Sequence, residues 1–83
     1  VNNLSVFPNP FSNTTLISFD ATENGKYISR MVNIMGQEVF SQPIDVIAGR
    51  NSTEIENTGF AKGVYFFTLS NGKKSVIRRI VIN

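Results

Sequence analysis

Hydrophobic and polar residues alternate along this chain in short runs, most of which end at a turn-forming residue. The clearest example is the C-terminal segment, residues 63–83, in which two β-rich runs flank Asn71-Gly72. Both residues of an Asn-Gly pair tolerate the positive φ that a type I′ turn requires. The segment therefore predicts a terminal antiparallel hairpin closed by such a turn.

The two strands of this hairpin differ in how regularly their side chains alternate. In the first strand, Tyr65, Phe67 and Leu69 would face the core, and Phe66 would be an exposed aromatic on the other face. Tyr65 also stands near the start of the penultimate strand, where a tyrosine commonly hydrogen-bonds to the preceding loop as a tyrosine corner. In the second strand, two arginines at positions 78–79 interrupt the alternation, which predicts a β-bulge.

Several further β-rich runs precede the hairpin. They are residues 1–7, 14–20, 26–35, 38–40, 44–47 and 52–56. In the second of these runs, Thr15, Ile17 and Phe19 can share one face. The chain thus has about seven short strands separated by turn signals, and no segment has a helical period. This pattern predicts an all-β fold, an immunoglobulin-like Greek-key β-sandwich of about seven antiparallel strands.

Prolines and glycines set the breaks between these strands. Pro8 and Pro10 end the first strand in a rigid bend, because proline has a fixed φ and no N–H to contribute to a central ladder. Asn24-Gly25 predicts a second hairpin-type turn. Pro43 would end a short return strand, so that the residues after it form a separate strand.

Composition excludes several classes of function. The 83 residues allow one domain at most, and a chain that starts at Val1 without methionine is expected to be a piece of a longer precursor. It has no cysteine and no histidine, and therefore lacks a thiolate and the usual general base and zinc ligand. We therefore expect no enzymatic activity and no cofactor. No apolar run approaches the roughly 20 residues of a membrane span.

Charge is distributed unevenly along the chain. Residues 1–56 contain three cationic and six acidic side chains, whereas residues 57–83 contain five cationic and none that is acidic. This asymmetry could steer an acidic partner toward the C-terminal end. Alternatively, these residues are only the solvent-exposed face of a strand, and their charge discourages edge-to-edge pairing.

Two groups of carboxylates are candidates for chemistry. Glu54 and Glu56 lie two residues apart on one strand, hence roughly 7 Å apart on one face, within the range of glycosidase acid and base residues. Nothing near them predicts a buried cleft. The turn that contains Asp20, Glu23, Asn24 and Gly25 could offer oxygen ligands to calcium, but the EF-hand spacing is absent, and an ordinary polar turn is the better explanation.

Aromatic and basic residues leave two binding functions to consider. A carbohydrate-binding or adhesion module would need an exposed stacking platform, and the chain has no tryptophan. The aromatic candidates for such a platform are Tyr27, Phe40, Phe66 and Phe67. Nucleic-acid binding would use the basic residues of the last hairpin, but no nucleic-acid-binding motif accompanies them, so we expect no nucleic-acid partner.

Five short motifs follow one another in an order that points to a known family. They are Phe7-Pro8-Asn9-Pro10-Phe11, residues 32–39, residues 48–51, residues 63–66 with 72–73, and the basic-hydrophobic end at 78–82. In this order they resemble the type A C-terminal sorting domain of proteins exported by the type IX secretion system of Bacteroidetes-type bacteria. The resemblance covers essentially the whole chain, which is expected to be a single sorting domain over residues 1–83.

The resemblance implies a function that composition does not. Such a domain is an Ig-like sandwich fused to the C-terminus of a cargo enzyme or adhesin. After Sec export to the periplasm, the outer-membrane type IX translocon would recognise it and deliver the cargo to the cell surface or beyond. A surface sortase commonly then removes the domain and attaches the cargo to lipopolysaccharide. The domain would thus be an address label and a substrate, with no catalytic role of its own.

Particular residues are expected to carry this recognition. Residues 63–69 should lock the fold, while residues 73–82 should be the part that the translocon reads. The expected recognition residues are Gly63, Tyr65, Lys73, Lys74, Arg78, Arg79, Ile80 and Val81. An N-terminal motif, made of Pro8, Asn9 and Pro10, should set the geometry at the start of the domain. The alternative function is an Ig-like adhesion or carbohydrate-binding accessory module.

Overall fold

Two antiparallel sheets packed face to face form the molecule. The computed structural model describes all 83 residues, as strands joined by turns and loops. The strands are β1 (Asn2–Phe7), β2 (Thr14–Ala21), β3 (Gly25–Asn33), β4 (Glu38–Val46), β5 (Gly49–Glu56), β6 (Gly63–Ser70) and β7 (Ser75–Ile82). One sheet has the order β1-β2-β5 and the other the order β4-β3-β6-β7. The prediction of an all-β, seven-stranded Ig-like sandwich is confirmed.

The core lies between the sheets and is built from alternate residues of the strands. Thr15, Ile17 and Phe19 of β2 are buried together, as the alternation predicted. The buried hydrophobic residues are Leu4, Phe11, Ile17, Phe19, Met31, Val46, Ile55, Tyr65, Phe67, Leu69, Ile80 and Ile82. Burying a large side chain contributes about 1.5–3 kcal/mol. This single cluster stabilises a domain that has no disulfide.

The fourth strand corrects the expectation that Pro43 separates two strands. β4 continues through Pro43, which pairs with Ile28 of β3. β4 is an edge strand of its sheet, and the alternation of the ladder directs the proline nitrogen away from β3. Because a proline at an edge costs no ladder hydrogen bond when its nitrogen faces solvent, the strand is not interrupted.

The turn at Asn24-Gly25 is also different from the prediction. It is not a hairpin, because β2 and β3 belong to different sheets and the segment between them crosses from one sheet to the other. Asn24 stabilises this crossing by accepting a hydrogen bond at Oδ1 from the amide of Ala48, at 2.8 Å. The Asn-Gly pair thus marks a change of direction without specifying which strands it joins.

The terminal hairpin is present, but its turn is longer than predicted. Ser70 pairs with Ser75, so the loop has four residues, 71–74, and is not a two-residue type I′ turn. Asn71 Oδ1 accepts hydrogen bonds from the amides of Lys73 at 2.9 Å and Lys74 at 2.8 Å. Gly72 has φ of 89°, which suits glycine. The Asn-Gly pair therefore closes the hairpin through the asparagine side chain.

The predicted bulge at residues 78–79 is absent. Pairing between β6 and β7 runs without a register shift from Gly63–Ile82 to Ser70–Ser75. Arg78 stands opposite the buried Phe67 and therefore lies on the inner side of β7, but its side chain is exposed at the rim of the sandwich. An inward-directed charge on an edge strand is one way proteins discourage edge-to-edge pairing.

Candidate functional site

The C-terminal hairpin is fixed to the rest of the sandwich at its start by Tyr65. The Tyr65 hydroxyl donates a hydrogen bond to the main-chain oxygen of Ala61, which confirms the predicted tyrosine corner. The ring is buried and packs at a tilt against Phe60, with 6.3 Å between ring centroids. The loop before β6 is thereby held against the strand, and the position of the hairpin is set.

The hairpin is fixed at its end by the N-terminal motif. Asn9 Nδ2 donates to the main-chain oxygen of Arg79 at 3.0 Å, and Asn9 Oδ1 accepts from the amide of Val81 at 2.9 Å. The side-chain amide thus takes the place of a peptide group on a neighbouring strand. The prolines on both sides hold Asn9 in a rigid bend. The sequence predicted this bend but gave no sign of its partner on β7.

Phe11 continues the same contact along β7. Its amide donates to the oxygen of Val81 at 3.0 Å, and its own oxygen accepts from the amide of Asn83 at 2.9 Å. The two segments form a parallel bridge at Ile82. The Phe11 side chain is fully buried in the core. The edge of β7 from residue 79 to the end is therefore covered by residues 9–11.

The residues expected to be recognised fall into two groups in the structure. Lys73, Lys74, Arg78 and Arg79 are exposed. Tyr65 and Ile80 are buried in the core, and Gly63 and Val81 are partly buried. Only the four basic residues present whole side chains to a partner. The others hold the strands that carry them.

The charges of this hairpin are not neutralised within the chain. The three cations of the first 56 residues all form ion pairs: Lys26 with Asp45 at 3.1 Å, Arg30 with Glu38 at 3.0 Å and Arg50 with Asp20 at 3.1 Å. None of the five cations after residue 56 has a carboxylate within 4.0 Å. The hairpin therefore presents a surface of uncompensated positive charge to solvent.

One carboxylate outside the hairpin has a perturbed pKa. Hydrogen bonds from Asn3 Nδ2 and Arg50 Nη1, at 2.9 and 3.1 Å, hold the pKa of Asp20 below its usual value. Asn3 has the larger effect, and the positive charge of Arg50 adds to it. The Asp20 carboxylate is therefore already hydrogen-bonded to side chains of the same chain. No cluster of three His, Cys, Asp or Glu side chains that could hold a metal ion is present.

The candidate aromatic residues are divided between the core and the surface, and the pair of glutamates lies on the other sheet. Phe67 is buried in the core and Phe66 lies on the outer face of the four-stranded sheet, so the proposed aromatic platform does not share one surface. Glu54 and Glu56 are exposed on β5, at an edge of the other sheet, beside an open depression. The structure also has no helix with the length and hydrophobicity needed to cross a bilayer.

The fold and the corner at Tyr65 define the chain as an immunoglobulin-like β-sandwich domain whose distinctive surface is a basic C-terminal hairpin. Residues 5–83 match the family described as the secretion system C-terminal sorting domain, and the chain belongs to this family. The resemblance seen in the sequence is thereby confirmed. Membership implies a sorting signal of type IX secretion, with a cargo fused ahead of the domain and export to the cell surface or extracellular space.

A solved structure supports the same fold. The crystal structure of dimeric latent PorU from Porphyromonas gingivalis is similar to this chain with a TM-score of 0.74 and 11% sequence identity. The similarity covers 95% of this chain but 9% of PorU, so the chain spans a small part of that protein. A comparison with curated proteins gave no significant match.

Proposed function

We propose that the outer-membrane type IX translocon recognises the exposed basic surface of the C-terminal hairpin, and that the rest of the sandwich presents this hairpin in a fixed position. The observation that carries the proposal is the distribution of paired and unpaired charge. All three cations of the first 56 residues have a carboxylate partner, whereas the four cations of the hairpin, Lys73, Lys74, Arg78 and Arg79, have none. Charge left unpaired along one hairpin favours an acidic partner and steers its approach.

The recognition residues act in two ways under this proposal. Lys73, Lys74, Arg78 and Arg79 contact the partner through their exposed side chains. The remaining four keep β6 and β7 in register. These are Gly63, Tyr65, Ile80 and Val81. The backbone of a strand pair is a more rigid support than a free tail, so less ordering is needed when the partner binds.

The N-terminal motif has a supporting role in the same proposal. Asn9 binds the backbone of Arg79 and Val81, and Pro8 and Pro10 fix the bend that places it there. The motif thus links the start of the domain, which follows the cargo, to the strand that the translocon reads. A domain whose first residues are not folded would present β7 without this support.

We propose the following course for the steps before and after recognition. The cargo and this domain reach the periplasm by Sec export, pass the outer membrane through the translocon and meet a surface sortase. The sortase cleaves the domain from its longer precursor and attaches the cargo to the cell surface. The domain takes part as a substrate throughout and supplies no catalytic group.

Export of a reporter tests the proposal. Residues 1–83 are fused behind a Sec signal and a reporter, and surface display is measured in a cell competent for type IX secretion. The fusion should reach the surface, and removal of residues 73–83 should abolish display. Because this deletion also removes β7, exchanging Lys73 and Lys74 for glutamine in the folded domain is the accompanying variant. Surface export that survives both changes contradicts the proposal.

A further inference from the structure

The exposed edge of β7 is divided into two halves that differ in their hydrogen bonding. The half from residue 79 to the end is covered by Asn9 and Phe11, as described above. The half from Ser75 to Arg79 has no neighbouring strand, because β7 is the last strand of its sheet. We define this second half, residues 75–79, as the open edge.

The direction of the backbone groups follows from the ladder. In an antiparallel strand the N–H and C=O of successive residues point alternately to the two sides. The oxygen of Arg79 and the amide of Val81 point away from β6, toward Asn9. By the same alternation, the backbone groups of Ser75 and Ile77 and the amide of Arg79 also point away from β6. These groups form a short row of donors and acceptors open to another strand.

Few contacts within the chain occupy this row. The oxygen of Ile77 accepts a hydrogen bond from Arg78 Nη1 at 3.0 Å, an exposed contact between neighbouring residues. No backbone hydrogen bond outside the sheet ladders involves residues 75–79. The Ile77 side chain is 59% exposed, although it is a large hydrophobic group. An extended segment could therefore gain both backbone hydrogen bonds and an apolar contact here.

The charges around the open edge select the kind of segment that fits. Lys73 and Lys74 lie at its start, and Arg78 and Arg79 lie along it, all without carboxylate partners. Two copies of this edge placed side by side would bring like charges together, which opposes self-pairing. An incoming strand with acidic side chains would instead place opposite charges across the new pair.

We propose that the open edge of β7 binds an extended segment of the partner that carries acidic side chains and adds as a further strand beside β7. In this mode of recognition, backbone hydrogen bonds supply affinity and alternate side chains supply specificity. The identity of the partner as the translocon rests on the proposed function. The mode of binding itself rests on the backbone amides of Ile77 and Arg79, which point away from β6 and have no hydrogen-bond partner outside the ladders.

The substitution Ile77→Pro distinguishes strand addition from simple charge attraction. The amide of Ile77 points away from β6, so Ile77→Pro removes a donor from the open edge and leaves the β6–β7 ladder intact. Ile77→Ala is the matched control, since it removes the side chain and keeps the amide. The probe is a blocked hexapeptide in which glutamate and valine alternate, and a second peptide carries lysine in place of glutamate.

Binding is measured by titrating the ¹⁵N-labelled chain with each peptide. The acidic peptide should shift the amide signals of Ile77 and Arg79 and slow their hydrogen exchange, and the lysine peptide should not. Ile77→Pro should weaken binding by about tenfold relative to Ile77→Ala, because one hydrogen bond and the close approach are lost. Equal binding by the two variants, or equal binding of both peptides, overturns the proposal.

Two further readouts keep the result decisive. Should Ile77→Pro fail to fold, hydrogen exchange in the wild-type chain decides: unchanged exchange at Ile77 and Arg79 under saturating acidic peptide contradicts strand addition.

Export of the Ile77→Pro reporter separates this proposal from the proposed function. Normal export of that variant, together with loss of export when the lysines are exchanged, leaves charge recognition standing and rejects strand addition. Loss of export in a folded Ile77→Pro domain supports both.

Discussion

The side chain of Asn9 is hydrogen-bonded to the main-chain oxygen of Arg79, at 3.0 Å and across 70 positions of the chain. A second bond, from the amide of Val81 to the same side chain, makes the contact bidentate. The motif at the start of the domain and the basic strand at its end are therefore one structural unit. A change in either one alters how the other is held.

Exchanging Asn9 for alanine tests this unit. Asn9→Ala removes both hydrogen bonds, so the free energy of unfolding should fall by about 1–3 kcal/mol, at about 0.5–1.5 kcal/mol for each bond. Hydrogen exchange at the amide of Val81 should accelerate. Asn9→Gln is the matched control, since it keeps the amide donor and acceptor but its extra methylene displaces them from Arg79 and Val81. Its stability, measured by urea unfolding, should lie between the other two, and equal stability of all three chains would refute the role assigned to Asn9.

The tyrosine corner makes a prediction about a single hydroxyl. Tyr65→Phe removes the hydrogen bond to Ala61 and keeps the ring in the core, so the free energy of unfolding should fall by about 0.5–1.5 kcal/mol. Tyr27→Phe is the control, because Tyr27 is half-buried on β3 and is not part of a corner. A Tyr65→Phe chain that unfolds at the same urea concentration as Tyr27→Phe would show that the corner is not needed for stability.

Replacing a core phenylalanine by alanine should destabilise the chain far more than replacing a surface one. Phe67 is fully buried, so Phe67→Ala should cost about 3–5 kcal/mol. A small domain has a total stability near the low end of about 5–15 kcal/mol, so this variant should keep at most about 2 kcal/mol, and its unfolding midpoint by circular dichroism should fall to a much lower urea concentration. Phe7 is 77% exposed, and Phe7→Ala should change stability by less than about 0.5 kcal/mol. Similar losses in the two variants would contradict the assigned core.

Asp20 gives the chain a specific response to acid. Its pKa in the folded state is lowered by Asn3 and Arg50 from the ordinary value of 3.8. The stabilisation is therefore complete above that value and is lost as the pH falls through the lower folded-state pKa. Asp20→Asn should reduce the free energy of unfolding at neutral pH. In strong acid the difference in this free energy between the variant and the wild type should become smaller. Urea unfolding at both pH values measures this, with Asp45→Asn, from a more exposed ion pair, as control. A difference in stability between Asp20→Asn and the wild type that does not change with pH would contradict this role of Asp20.

The elements that depend on neighbouring residues could be predicted from the sequence. The alternation in Thr15, Ile17 and Phe19 identified the buried face of β2, and the position of Tyr65 identified the corner. Both signals are local, because side chains alternate with period two and the corner bond spans four residues. The family resemblance was carried by similarly short motifs.

The elements that depend on position in the sheet could not be predicted in this way. Pro43 is compatible with a continuous β4 only because that strand is at an edge. Arg78 interrupts the hydrophobic pattern without a bulge because β7 is also at an edge. The partner of Asn9 is too distant in sequence for any local pattern to indicate it. Edge position and long-range contacts emerge from the complete topology.

The central claim is that the unpaired positive charge of the terminal hairpin is what the secretion machinery reads. The most direct measurement is surface display of a reporter fused to residues 1–83 carrying Lys73→Glu and Lys74→Glu, beside a fusion carrying Lys62→Glu. All three lysines are exposed and unpaired, but Lys62 precedes β6 and lies outside the proposed surface. With folding verified for both domains, the double variant should lower display by at least about tenfold and Lys62→Glu should leave it unchanged. Undiminished display of the double variant, or an equal loss in both fusions, would contradict the claim.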